Sequence, residues 1–340
     1  MHPACPDSYL ICVKGGFVLI EVKNLVKRYG DNVAVDNLSF TVEKGQVYGF
    51  LGPNGAGKST TMNIITGYLS SSEGTVVIDG HDIFEEPEKA KKSIGYLPEI
   101  PPLYPEMTVK EYLNFAADLK QVKKSEKKKM VQDIMELTKI SNVQDRLIKN
   151  LSKGYRQRVG IAQAIVGYPE VLILDEPTVG LDPKQIIEIR DLIRKLSKNH
   201  TIILSSHIMQ EISAVCDHIL IISKGKLVAC DTPDNLSREF AGDNVLEVTV
   251  ACTPEQLKSA LYDIEGIKEV SYRISELKDA LDVTIKPEAG EDLRESIFYA
   301  CAKNNCPIMK LQFKKMSLED VFLELTQRDS VEDNIEEEEE

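Results

Sequence analysis

The strongest constraint on this chain is the octapeptide Gly52-Pro-Asn-Gly-Ala-Gly-Lys-Ser59, set between the short apolar run Gln46–Leu51 and a helix-forming segment from Lys58 to about Tyr68. It fits the pattern Gly-x4-Gly-Lys-[Ser/Thr], and a strand-to-helix setting is what its chemistry requires. Glycines let the backbone wrap an anion so that successive N–H groups point at phosphate oxygens, and the helix N-terminus adds a favourable dipole. Gly52, Pro53, Asn54, Gly55, Ala56, Gly57, Lys58, Ser59 and Thr60 are therefore candidate nucleotide-binding residues. Lys58 would reach the β- and γ-phosphates, and the Ser59 hydroxyl would ligate Mg²⁺. A plain glycine-rich turn is the bland alternative, and the strand-to-helix setting argues against it.

Val171-Leu-Ile-Leu-Asp175-Glu176 is an apolar strand ending in two carboxylates. Asp175 suits a second Mg²⁺ anchor, met directly or through water. Glu176 suits the group that orients and deprotonates an attacking water. Acidic pairs at strand ends are common, so this one takes its meaning from the phosphate loop that precedes it.

The rest of the chain reads as an α/β domain followed by a smaller one. Phe17–Val22 and Leu38–Glu43 read as strands with Gly30-Asp31-Asn32 as a turn between them, and Thr75–Asp79 as another strand. Thr108-Val-Lys-Glu111 is a capping box, followed by Leu113, Ala116, Ala117 and Leu119 at helical spacing. Lys120–Lys129 reads as a solvated turn or helix face and Met130–Thr138 as a second helix, which makes residues 108–150 a mainly helical insert. Val171–Leu174 and Thr201–Leu204 are continuous apolar runs, as expected of parallel strands buried on both faces, with a helix Lys184–Leu196 between them. Val215–Ser223 and Lys226–Ala229 add a strand pair. Beyond a linker at Gly242-Asp-Asn come strand Val245–Ala251, helix Pro254–Ile264, strands Ile267–Ile274 and Ala280–Ile285, helix Glu291–Lys303 and strand Ile308–Phe313. That β-α-β-β-α-β order is the split βαβ plait. A last helix is expected at Ser317–Thr326. The expected organisation is an N-terminal extension (1–16), a nucleotide domain (17–238), a small α+β domain (243–328) and an acidic disordered tail (329–340).

Net charge is 41 − 54 = −13, and eight of the acidic residues follow Arg328, a run that reads as a solvated tail. An acidic balance argues against nucleic-acid binding, which needs clustered Lys and Arg. The seven cysteines are scattered, with no Cys-x-x-Cys pair and no His at zinc-ligand spacing. Reduced thiols in a cytosolic protein are the simpler account. Apolar runs such as Phe17–Ile20 and Ile219–Ile222 fall far below the ~20 residues of a membrane span. Residues 1–16 lack the basic start and apolar stretch of a secretory signal. The chain is expected to stay inside the cell and to meet a membrane only through a partner.

From about Phe17 to Asn235 the sequence resembles the nucleotide-binding subunit of ATP-binding cassette (ABC) transporters. The resemblance rests on the phosphate loop, the Asp175–Glu176 strand and, between them, Leu151-Ser-Lys-Gly-Tyr155 with Arg156-Gln-Arg158, which is similar to the family's signature loop. It implies a P-loop NTPase fold with a RecA-like core, an antiparallel β subdomain and a helical subdomain, followed here by the small α+β domain. It also implies that the loop Ser152, Lys153, Gly154 and Tyr155 acts in trans, with Ser152 and Gly154 binding the γ-phosphate held by the opposite subunit. Tyr29 matches the aromatic that stacks on adenine, a contact of ~1–3 kcal/mol. His207 matches the switch histidine, and Asp182 the loop that crosses the dimer interface. The family's usual Gln before the helical insert is here Glu99, a carboxylate that can still ligand Mg²⁺. Gly95-Tyr-Leu-Pro-Glu99 and Ser317–Thr326 resemble the ATPases of ABC-2-type exporters, although Ser317–Thr326 also reads as an amphipathic helix closing a small domain.

Together these imply ATP hydrolysis coupled to transport, with ATP and Mg²⁺ as cofactors and two copies closing head to tail on two nucleotides. The spanning part would be a separate transmembrane permease, with this chain peripheral at the cytoplasmic face and no nucleic-acid partner. A soluble, non-transport ABC ATPase is the alternative. Translation types usually carry two cassettes per chain and repair types a long coiled-coil insert, whereas this chain has one cassette and a short insert. A regulatory binder without catalysis would lack one of Lys58, Asp175, Glu176 or His207, and all four are present.

Overall fold

The computed structural model describes residues 17–239, 245–262, 264–277, 279–288, 292–313 and 322. The chain divides into two compact units between Pro233 and Asp234.

In the first unit β1 (Val18–Tyr29) and β2 (Asn32–Glu43) form a hairpin whose turn is Gly30-Asp31. Then follow β3 (Val47–Leu51), α1 (Lys58–Ile65), β4 (Glu73–Ile78), β5 (His81–Asp82), α2 (Pro87–Lys92) and β6 (Ile94–Leu97). Three helices come next: α3 (Val109–Leu119), α4 (Lys124–Leu137) and α5 (Lys153–Ile165). The unit continues with β7 (Val171–Leu174), α6 (Pro183–Leu196), β8 (Thr201–Ser206), α7 (Met209–Ser213), β9 (His218–Ser223) and β10 (Lys226–Asp231). One sheet is antiparallel, in the order β2-β1-β4-β5; the other runs β10-β9-β3-β8-β7-β6, parallel except for β10. All residues of β3, β7 and β8 are buried. That two-sided burial is why their sequences read as unbroken apolar runs instead of alternating. The two sheets share a core in which the rings of Phe40 and Phe50 meet edge to face at 5.2 Å.

The capping box forms as read: Thr108 Oγ accepts from the Glu111 N–H at 3.3 Å, and the Glu111 carboxylate accepts from the Thr108 N–H at 2.8 Å. The second insert helix starts at Lys124 instead of Met130. Lys124-Ser-Glu-Lys-Lys-Lys shows no apolar spacing, but Lys and Glu are good intrinsic helix formers. Strand β9 starts at His218 instead of Val215, because Val215 and Cys216 donate back to the Ile212 carbonyl and continue the turn of α7.

In the second unit α8 (Pro233–Glu239) opens directly at the division, ahead of the boundary expected at 238. It is followed by β11 (Leu246–Val250), α9 (Pro254–Leu261), β12 (Ile267–Ile274), β13 (Leu281–Pro287), α10 (Arg294–Lys303) and β14 (Ile308–Phe313). The sheet order β12-β13-β11-β14 is antiparallel throughout, the arrangement of a β-α-β-β-α-β plait. Its core joins Val248, Val283 and Ile285 of the sheet to Leu257 and Ile297 of the helices. Cys301 is buried there, and burial pushes its thiol up to about 11, away from reactivity. The 1–16 extension, the Gly242-Asp-Asn linker and the acidic tail lie outside the described residues, as does the Ser317–Thr326 helix apart from Phe322.

Candidate nucleotide site

The loop Gly52–Gly57 leaves the central strand β3 and enters α1. Gly57 caps that helix at φ +99°, and a Cβ there would lie 2.5 Å from the Ala34 carbonyl oxygen, so only glycine fits. Pro53, Asn54 and Gly55 form an exposed rim, Ala56 is buried, Ser59 is exposed and Thr60 is half-buried. Lys58 is buried, and its Nζ donates to the carbonyls of Gly52 at 2.7 Å and Pro53 at 3.1 Å. Burial pushes its ammonium below the ordinary lysine range, while the charges of Glu176, Asp175 and Glu99 oppose that shift. One cation and three carboxylates thus share an electrostatic neighbourhood at the mouth of α1.

Asp175 and Glu176 follow β7 and are 3% and 8% exposed, which for carboxylates demands partners. The Ser59 hydroxyl stands 3.5 Å from Asp175 Oδ1. Ser205, at the end of the adjacent strand β8, donates its hydroxyl to the same Asp175 oxygen and accepts the Glu176 N–H at 2.9 Å. Glu176 holds a left-handed backbone at φ 47°, unusual for a non-glycine residue, and such strain persists where surrounding bonds enforce it. His207 Nδ1 lies 3.0 and 3.1 Å from the two Glu176 carboxylate oxygens, so a proton on that nitrogen is donated to the carboxylate. A third buried acid, Glu211 of α7, accepts from the Thr178 and Ser206 hydroxyls and ties the segment after Glu176 to the one before His207.

No motif in the sequence marks Ser205 or Glu211. For Ser205 the available signal was a polar residue at the end of the buried run Thr201–Leu204, two positions before His207. Ser205→Ala removes one donor from Asp175 and leaves a buried N–H without its acceptor. We expect a loss of about 1–3 kcal/mol in chemical denaturation, together with a slower turnover at saturating ATP and a nearly unchanged KM.

Glu99 is exposed and lies with Ser59, Asn63, Tyr96, Lys120 and Asp175 around a cavity of about 830 Å³. Burial raises the pKa of Tyr96, whose hydroxyl donates to Asn63 Oδ1 at 3.0 Å, and lowers that of Lys120, whose Nζ donates to the Ile94 carbonyl at 2.6 Å. Ser59, Glu99 and Asp175 are oxygen donors, the set a hard divalent cation prefers. Among the described residues no group of three or more His, Cys, Asp or Glu is arranged to hold a metal by itself. A cation here would complete its shell with phosphate and water oxygens, the usual habit of Mg²⁺, so the residues fit it.

The loop Ser152–Tyr155 opens α5 and faces elsewhere. Ser152 caps the helix by accepting the Tyr155 N–H at 3.4 Å, and the Tyr155 hydroxyl accepts from Asn142 Nδ2 at 3.0 Å. A Cβ on Gly154 would stand 2.2 Å from Gln185 Oε1, so this glycine admits the α6 side chain. Asp182 caps α6 by accepting the Gln185 N–H at 2.9 Å. A Cβ on Gly180 would meet Lys153 Nζ at 2.1 Å, which puts the Lys153 ammonium beside that turn. Ser152, Gly154 and Tyr155 line a cavity of about 510 Å³ with Gln185, Arg158 and Glu188, and none of these residues lines the Glu99 cavity. Tyr29 ends β1 half exposed, with the Lys27 ammonium 5.2 Å from its ring centre.

The family described as ABC transporter matches residues 35–179. The linearmycin resistance ATP-binding protein LnrL of Bacillus subtilis (strain 168) is 32% identical over 311 residues, covering 91% of this chain and 99% of that one. The bacitracin transport ATP-binding protein BcrA of Bacillus licheniformis is 33% identical over 309 residues, covering 90% and 97%. Among solved structures, a dimeric ATP-binding cassette in a post-hydrolysis state bound to ADP and Pi aligns with TM-score 0.58 at 25% identity, over 63% of this chain and 98% of that one.

Proposed function

This chain belongs to the ABC transporter ATP-binding proteins, ATPases that energise transport, and from that premise we propose that it hydrolyses Mg²⁺·ATP in two composite sites shared by two copies, driving a separate membrane-spanning export subunit. The observation that carries the reading is the junction after β7 and β8, where Ser205 ties Asp175 to Glu176 and His207 meets the Glu176 carboxylate. The Gly52–Thr60 loop and Lys58 bind the phosphates, and Tyr29 stacks on the adenine. Ser59, Asp175 and Glu99 would hold Mg²⁺, which when bound neutralises charge on the phosphate oxygens. Glu176 takes the proton of the attacking water, with its carboxylate oriented by His207. Ser152, Lys153, Gly154 and Tyr155 close the partner's site, and Asp182 lies in the contact between copies.

Relatives named for bacitracin transport and linearmycin resistance support an ABC-2-type exporter. No helix among the described residues is long and apolar enough to cross a membrane. In our reading the spanning part is a permease on another polypeptide, with this chain at its cytoplasmic face. The test is purification of tagged chain from detergent-solubilised membranes, followed by reconstitution with what accompanies it. We expect a polytopic membrane protein that stimulates ATP hydrolysis; an ATPase that neither binds nor responds to any membrane protein overturns the transport half of the proposal.

Glu99 allows a sharper check. Without metal, Glu99, Asp175 and Glu176 repel the γ-phosphate, so ATP binding should depend strongly on Mg²⁺. Glu99→Gln keeps the shape and one oxygen ligand. We expect it to bind ATP more tightly in EDTA, to hydrolyse Mg²⁺·ATP at a similar rate, and to transport less per ATP once the permease is present. Equal affinities of both proteins with and without EDTA would show that Glu99 points away from the metal.

A further inference from the structure

Strand β12 is an edge of the second unit's sheet, and its residues from Lys268 to Ile274 are all exposed. Val270, Tyr272 and Ile274 pair in register with Ile285, Val283 and Leu281, on the face that carries the core. Yet they are 39%, 56% and 87% exposed, against 1%, 2% and 5% for those partners. An open edge with an apolar face is a template for another strand, and natural sheets blunt such edges with charges, proline or a bulge; β12 has one register irregularity, between Ile267 and Glu269, and pairs regularly from Glu269 to Ile274. The charges of β12 are arranged to be matched instead.

Set antiparallel to itself with the two-fold at Ser271, the strand places Glu269 of each copy opposite Arg273 of the other. Val270 then faces Tyr272 twice over, and no like charges are opposed across the regular stretch Glu269–Arg273. A one-residue slip would set the apolar face of one copy beside the charged face of the other. A shift of the two-fold to Val270 or Tyr272 loses both Glu–Arg pairs. Within the chain Glu269 is already held by Lys286 at 2.7 Å and Arg273 by Asp282 at 3.6 Å, which fixes both charges along the edge. The opposite edge, β14, carries Lys310 and no carboxylate, so it has no such self-complement.

We propose that β12 is a self-pairing interface, through which two copies of this chain join their second-unit sheets into one eight-stranded antiparallel sheet centred on Ser271. The contact uses no residue of the nucleotide site and requires no nucleotide, so it stands apart from the composite-site reading.

The test uses the full chain without nucleotide. Residues facing each other across a central antiparallel pair have Cα atoms about 4.5–5.5 Å apart, within the roughly 4.4–6.8 Å that a disulfide spans. Ser271→Cys treated with a mild disulfide oxidant such as diamide should give a covalent dimer whose 271–271 link is mapped by mass spectrometry. Lys268→Cys puts the two thiols about 20 Å apart along the strands and should give none; equal linking at both positions means random collision and overturns the proposal. In sedimentation, Glu269→Arg and Arg273→Glu should each raise the dimer Kd about tenfold or more, the cost of replacing attraction by like-charge contact. The double reversal should bind more tightly than either single reversal, because it restores both pairs between copies although it opposes Lys286 and Asp282 within each chain. If only the in-chain pairs mattered, the double reversal would be the worst of the three, because its charges then face Lys286 and Asp282; that result overturns the interface. The cross-link should persist in a Ser152→Arg background, where nucleotide-driven pairing is blocked. Its absence while wild-type chain still dimerises on ATP overturns the β12 contact alone.

Discussion

Glu176→Gln is expected to slow phosphate release by ~10²–10⁴-fold while ATP affinity stays close to wild type, because a positioned general base contributes about that much. The carboxamide keeps the size of the side chain and one oxygen for His207, so the bond network after β7 survives while the proposed proton acceptor is lost. The strained backbone at φ 47° is carried by the Ser205 bond to the Glu176 N–H, which the substitution does not touch. Folding should therefore be nearly unchanged. In the proposed cycle product formation separates the two copies, so the variant should also accumulate an ATP-bound dimer, visible by light scattering. Wild-type turnover would remove Glu176 from the role of base.

Lys58→Ala and Ser152→Arg should each abolish most ATPase activity, for opposite reasons. Lys58 donates within the phosphate loop of its own chain, and losing a charged hydrogen-bond donor there costs about 2–3 kcal/mol, roughly 30- to 150-fold in nucleotide affinity. Ser152 lines a different cavity from Ser59 and Asp175, so Ser152→Arg should leave nucleotide binding by the monomer intact and block pairing. Mixed, the two variants assemble dimers in which one site carries both lesions and the other carries neither. Partial recovery of hydrolysis and of the ATP-induced dimer is the expected result. No recovery at any mixing ratio would count against head-to-tail composite sites.

The phosphate loop and the Asp175–Glu176 pair are readable from sequence because each is contiguous: a few residues state the turn, the helix start and the charge. Ser205 is not readable in that way. It closes an apolar run, and its meaning appears only when β8 lies beside β7 and brings its hydroxyl to both acidic residues. Glu211 sits in the five-residue helix α7 and looks like surface charge until Thr178 and Ser206 are found around it. The start of α4 is not legible because a polar helix face gives no periodic signal, whereas the capping box of α3 states its own boundary. In the second unit the order of elements was legible from alternation and spacing. That β12 forms an edge follows from pairing order, which a linear pattern does not contain.

The order of β3, β8 and β7 has a consequence for what this chain can tolerate. Gly49, Leu204 and Leu174 lie in one transverse row of that sheet, and Gly52, Ser205 and Asp175 follow within three residues of the row. The distances that chemistry depends on are thus counted sideways, at about 4.8 Å per strand, while the long excursions of chain between those strands contribute nothing to them. Length is free in the turns, such as the one between α3 and α4, whereas Lys120 and Asn142 of the insert are tied to the Glu99 cavity and to the Tyr155 hydroxyl. Inside β7 the opposite holds: one added residue would advance both carboxylates by about 3.3 Å and turn each to the other face of the sheet.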